Sequence, residues 1–85
     1  MSFLYVIGIL IQNYIMSQAG RKFISQRVKK YRINAGYNKK QLSLAIGYDN
    51  SYISKVENGK VNIGIDVIEA IAVVCNVSIE KFLGT

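Results

Sequence analysis

The residues with the most chemistry to offer lie between positions 39 and 60. Asn50, Ser51, Tyr52 and Ser54 are compact hydrogen-bonding side chains in one short run, Lys55 follows them, and Lys39, Lys40 and Lys60 flank the run. Amides and hydroxyls suit the edges of bases, and lysines suit phosphates. The rest of the sequence closes most other routes. The 85-residue chain has no histidine and one cysteine, Cys75. Zinc fingers, Ser-His-Asp triads, Cys-His pairs and disulfide frameworks within one chain are therefore excluded. With only five acidic residues and no phosphate loop, an enzyme is not expected, nor any cofactor or metal. Cys75 sits in an apolar stretch and reads as a small core residue in a reducing compartment.

The net charge of +6 is concentrated. Residues 1–20 carry no charged side chain, whereas residues 21–60 hold ten of the eleven basic residues against only Asp49 and Glu57. A cationic middle calls for a polyanionic partner, either nucleic acid or an acidic membrane surface. Charge alone leaves both open, together with a merely solvated basic face.

These groups need a scaffold. Half of the residues (51%) are hydrophobic and proline is absent, which disfavours disorder and favours an all-α protein. A chain of this length forms one domain and buries only about 60% of its unfolded surface, so a lone monomer is marginal. Phe23, Ile24, Val28, Tyr31 and Ile33 give an apolar stripe for a first helix over 20–35, and Gly36 suits its end. Asn38 is placed to cap a second helix through Ile46, with Leu42, Ala45 and Ile46 inward and Gly47 closing it. Asp49 is placed to cap a third helix, 50–58, with Ile53 and Val56 inward and Asn58-Gly59 as its stop. A fourth helix over 65–75 ends at Asn76, and Ser78 caps a last one, 79–83. Tyr31, Tyr37 and Tyr48 read as packing residues rather than stacking platforms for single strands.

Residues 1–19 form an apolar arm ahead of the domain at 20–85. FLYVIGILI, residues 3–11, is too short to span a bilayer, and no positive charge or convincing cleavage site makes it a signal peptide. Its composition favours a strand, with a helical extension toward Tyr14 and Ile15 as the competitor. Either form is expected to be covered by its own domain or another chain. Met16 is a second candidate start, which would make residues 1–15 an upstream addition.

Two short helices over 39–58, joined by a turn with a glycine, are the helix-turn-helix arrangement, in which the leading residues of the second helix enter the major groove of duplex DNA. Val28 to Leu83 resembles the helix-turn-helix domain of phage-repressor and Cro-like (XRE) transcription regulators, through Arg32, Gly36, Leu42, Gly47, Ile53, Ser54, Glu57 and Gly59. Within that family S-Y-I-S-K-V-E-N-G-K-V-N-I, residues 51–63, is most similar to restriction–modification controller proteins, with Ser51, Tyr52 and Asn62 at characteristic positions. The resemblance implies a five-helix lambda-repressor-like fold and a bacterial cytoplasmic, nucleoid-associated regulator. It would bind an inverted repeat in double-stranded DNA as a homodimer, with RNA polymerase as a further partner and no membrane. Prophage repressors and antitoxins share the fold and remain alternatives. Of another class, a basic membrane-associated module with residues 3–15 inserted is the competing reading.

By residue, the resemblance implies that Asn50 and Ser51 approach base edges and that Tyr52 touches backbone or a thymine methyl. Ser54 and Lys55 would serve phosphates or flanking bases, and Lys39 and Lys60 phosphates. Arg32 and Glu57 would form a structural ion pair between the first and third helices. Lys39 stands where the family usually has glutamine, and the controllers' arginines are absent at Asn50, Asn58 and Val61, so no known target sequence carries over and fewer guanine contacts are expected. A single recognition helix reads too few base pairs, and Ile68, Val74, Val77, Ile79 and Phe82 are expected to be split between the core and a dimer interface, to which the arm can add.

Overall fold

The computed structural model describes residues 3–84, and every regular element among them is helical. In chain order these are α1 (Phe3–Met16), α2 (Gln18–Asn34), α3 (Lys39–Ala45), α4 (Tyr52–Glu57), α5 (Ile65–Val74) and α6 (Ile79–Leu83). The strand favoured for residues 3–11 is not formed. β-Branched residues favour strands mainly through packing against neighbouring strands, and no strand is present among the described residues to supply that packing. A helix satisfies its own backbone groups instead.

Local chemistry sets most boundaries. Ser17 interrupts what would otherwise be one long helix: its extended backbone starts α2, and its hydroxyl accepts from the Gly20 N–H at 3.0 Å. Asn38 and Gln41 form a reciprocal capping box at the start of α3, with bonds of 2.7 and 2.9 Å. Ser78 caps α6 through the Lys81 N–H. Gly47 and Gly59, which follow α3 and α4, have φ of +86° and +69°, a conformation that side chains with a Cβ rarely adopt.

The core lies among α2 to α6. Ile24, Val28 and Tyr31 of α2 meet Leu42 of α3, Ile53 and Val56 of α4, the α5 residues Val67, Ile68, Ile71 and Ala72, and Phe82 of α6. Tyr31 packs its ring on Phe82 at 5.4 Å between centroids, and its hydroxyl donates to the Lys81 carbonyl. Ile33, expected on the α2 stripe, is exposed. The inward position one turn after Val28 belongs to Arg32, which is 7% exposed.

Ile68 and Phe82 are fully buried within the single chain. Of the five residues expected to divide between core and dimer interface, these two belong to the core, because their side chains have no surface left for a partner. Val74, Val77 and Ile79 are half-buried. Of the two covers expected for the arm, its own domain supplies little. On α1, Leu4, Tyr5, Val6, Ile9, Leu10 and Ile11 are exposed, so the chain by itself does not cover its most apolar helix.

One polar contact ties the domain together. Arg32 Nε donates to Glu57 Oε2 at 2.6 Å and Arg32 Nη2 to Glu57 Oε1 at 3.1 Å, while Nη1 donates to the Tyr37 carbonyl at 3.0 Å. The fork thus joins α2, the turn after it and the end of α4, with side-chain exposures of 9% and 5%. Removing one partner of a buried pair costs about 3–5 kcal/mol, because the other is left charged and unmatched. Glu57→Ala is expected to lower the unfolding free energy by that amount in denaturant titration. A loss below about 1 kcal/mol, the size of a surface pair, would contradict the role given to it.

Candidate nucleic-acid interface

The α3–turn–α4 segment carries the polar run. The turn closes through backbone bonds from Gly47 N–H to the Leu44 carbonyl and from Tyr48 N–H to the Ser43 carbonyl, both 3.0 Å. Asn50 and Ser51 then stand exposed immediately ahead of α4, and Lys55 is exposed within it. Lys39 and Lys40, which open α3, and Lys60, just beyond α4, are exposed as well. Ser54 and Tyr52 are half-buried.

Two details of the leading end depart from expectation. α4 starts at Tyr52, with Ser51 at its cap position, rather than at residue 50 under Asp49. Asp49 still organises the entry: one carboxylate oxygen accepts from the Ser51 N–H at 2.9 Å and from the Ser51 hydroxyl at 2.7 Å. Those bonds, first the hydroxyl's and then the amide's, hold the Asp49 carboxyl below its ordinary pKa. They also fix the Ser51 proton on Asp49, which leaves the Ser51 oxygen as an acceptor toward solvent.

Tyr52 does not project freely outward. Its ring stacks on Tyr48 at 3.9 Å between centroids with 13° between planes. Partial burial, followed by the neighbouring Tyr48 and the charge of Asp66, pushes its hydroxyl up to about 12, so it stays a protonated donor at neutral pH.

Sequence reasoning missed Ser43. The inward positions of α3 are Leu42 and Ser43, while Ala45 is exposed and Ile46 half-buried. The Ser43 hydroxyl, with no exposed surface, donates to the Lys39 carbonyl at 2.8 Å and accepts from the Ile53 N–H at 2.9 Å. The latter is a first-turn amide that has no partner within α4. Ser51 makes no side-chain cap bond there, so α4 is capped from the preceding helix. The only hint in the sequence is a serine beside Leu42 at a position where an inward apolar residue would be ordinary.

These features match a known pattern. A family model described as helix-turn-helix matches residues 28–82. The chain belongs to the helix-turn-helix family of XRE-type transcriptional regulators. It is 36% identical over 61 residues to the HTH-type transcriptional regulator SinR of Bacillus subtilis (strain 168), a match covering 71% of this chain and 55% of SinR. Among solved structures, it is similar to the hypothetical transcription factor NHTF from Neisseria (TM-score 0.69, 28% identity, 75% of this chain and 74% of that one). It is likewise similar to the restriction–modification controller protein C.AhdI from Aeromonas hydrophila (TM-score 0.68, 25% identity, 75% of this chain and 97% of that one). The chain spans between 55% and 59% of the length of the curated relatives it matches. These relatives are described as a transcriptional regulator, a transcription factor and a controller protein. Among the described residues no helix is long and apolar enough to cross a membrane.

Ser43→Ala leaves the Ile53 amide buried without a partner, which costs about 1–3 kcal/mol. Thermal unfolding is expected to show that loss, and amide hydrogen exchange at Ile53 to accelerate more than exchange in α5. Unchanged protection at Ile53 would refute the capping role.

Proposed function

We propose that this regulator binds double-stranded DNA in a sequence-specific manner, as a homodimer on an inverted repeat, and acts in transcription as a restriction–modification controller does. The observation that carries this reading is the exposure of Asn50 and Ser51 at the leading end of α4, in a segment whose flanks are lysines. Asparagine pairs bidentately with adenine, and the Ser51 oxygen, its proton held by Asp49, suits the amino donors of adenine or cytosine. Tyr52, stacked on Tyr48, is better placed for a thymine methyl or the backbone than for a base edge. Lys39, Lys55 and Lys60 supply phosphate contacts, with Ser54 beside them.

Affinity for one half-site is limited, since each good bidentate contact discriminates by about 1–3 kcal/mol. Two copies bring two such helices to half-sites about one helical turn apart. Val74, Val77 and Ile79, together with exposed Val73, form the surface proposed for the dimer, and the apolar face of α1 can extend it. Similarity to C.AhdI over 97% of that protein favours the controller role over that of a prophage repressor or antitoxin. RNA polymerase is the further partner this role requires. The membrane reading draws on the exposed apolar face of α1. That helix, however, is about 21 Å long against a hydrocarbon core of about 30 Å, and membrane binding would leave the polar leading end of α4 without a use.

In vitro selection from a random duplex pool is expected to return an inverted repeat. Asn50→Ala and Ser51→Ala should then relax preference at particular positions. Lys39→Ala or Lys60→Ala should instead weaken all sequences and reduce the salt slope by about one unit per lost phosphate contact. Equal losses on selected and random duplex for Asn50→Ala would contradict its assigned role.

A further inference from the structure

A second cationic feature lies outside the helix-turn-helix segment. The first turns of α2 and the trailing end of α4 enclose a cleft of about 580 Å³, lined chiefly by Arg21, Lys22, Ser25, Glu57, Asn58 and Gly59. Glu57 is the single acid among these residues, and its carboxylate is already engaged by both Nε and Nη2 of Arg32. The charge left to act on a ligand is therefore that of Arg21 and Lys22. Asn58 adds a neutral hydrogen-bonding group, while the Ser25 hydroxyl donates to the Lys22 carbonyl at 2.8 Å. The Arg21 Nε atom is buried and has no hydrogen-bond partner among the described residues, so nothing there holds the guanidinium in place and it is free to turn toward an acceptor in the cleft. Lys22 and Asn58 are exposed and available.

We propose that this cleft is a phosphate-binding site that grips the DNA backbone beside the major groove, with Arg21 and Lys22 as its cations and Asn58 as a neutral donor. The proposal rests on the DNA-binding reading and adds a contact region to it. α4 has six residues and a length of about 9 Å, close to the major-groove depth of about 8.5 Å. When α4 enters the groove by its leading end, its trailing end therefore stays at the groove mouth, where phosphates run. The cleft at Asn58 and Gly59 opens at that end. A phosphate there receives charge-assisted bonds from a fork and an ammonium, the geometry for which arginine is suited.

The test is fluorescence-anisotropy titration of the full chain with selected and random duplexes across a salt series. Lys22→Ala, at an exposed position, and Arg21→Ala are compared with Lys30→Ala. Lys30 lies half a helical turn away from Arg21 by its nine-residue spacing, with its ammonium over the Tyr31 ring. Arg21→Ala is expected to weaken both duplexes about tenfold. Lys22→Ala is expected to weaken both to a smaller extent. Each is expected to make the dependence of log affinity on log salt shallower by about 0.9, with base preference unchanged, and Lys30→Ala should do neither. Circular dichroism and the unfolding midpoint check each fold. If wild type binds duplex and Arg21→Ala and Lys22→Ala behave like Lys30→Ala, the cleft site is overturned while the DNA reading stands. If wild type binds no duplex, the DNA reading itself fails and the cleft site with it.

Discussion

The Arg32–Glu57 pair is the constraint on which the rest of the structure depends. It is a fork of two bonds onto one carboxylate and a third onto the Tyr37 carbonyl, so it fixes three points: the body of α2, the turn into α3 and the end of α4. Apolar contacts between helices are non-directional and tolerate small slides and rotations. A bidentate ion pair buried to this degree does not, because displacement strands a charge in a low-dielectric setting. The pair thus sets where α4 ends, and Ser43 sets where it begins, through the Ile53 amide. A helix of six residues is too short to be stable alone. Its position is held by these two polar clamps and by Ile53 and Val56 in the core.

This division of labour separates scaffold from contact surface. Glu57 lies in a segment where an uncompensated carboxylate would oppose a polyanion, and Arg32 removes that opposition while serving the fold. Because Ser43 caps α4, neither Asn50 nor Ser51 has to, and Asn50 stays available on the surface. Asp49 takes the Ser51 proton without removing the Ser51 oxygen from solvent. The lysines flanking the segment are exposed and are not drawn into the core, which leaves their charge available to a polyanion.

Much of this was legible in the sequence because it is local. Asn38, Gly47, Gly59 and Ser78 mark helix ends through their own backbone or capping chemistry. Leu42, Ile53 and Val56 mark inward faces by spacing. Arg32 and Glu57 came from the family resemblance rather than from pattern, since nothing local links residues 25 positions apart. The failures are non-local. Ser43 acts across two helices, so its role is invisible in the periodicity that favoured Ala45. Ile33 is exposed because Arg32, matched by its buried partner Glu57, takes the inward position one turn after Val28. Ile68 and Phe82, which spacing left undecided between core and partner, lie wholly inside the monomer because the core closes over them from several helices at once. Residues 3–11 became a helix because strand preference is realised mainly through neighbouring strands.

In the proposed complex α4, clamped at both ends, presents Asn50 and Ser51 to duplex DNA. The most direct measurement is a ¹H–¹⁵N chemical-shift titration of the full chain with a duplex carrying its selected repeat. The largest amide changes are expected at Asn50, Ser51, Ser54 and Lys55, with smaller ones at Lys39 and Lys60 and nearly none at the buried α5 residues Ile68 and Ile71. Changes centred on α5 and α6, or on α1, with the residues around Asn50 unmoved, would contradict it.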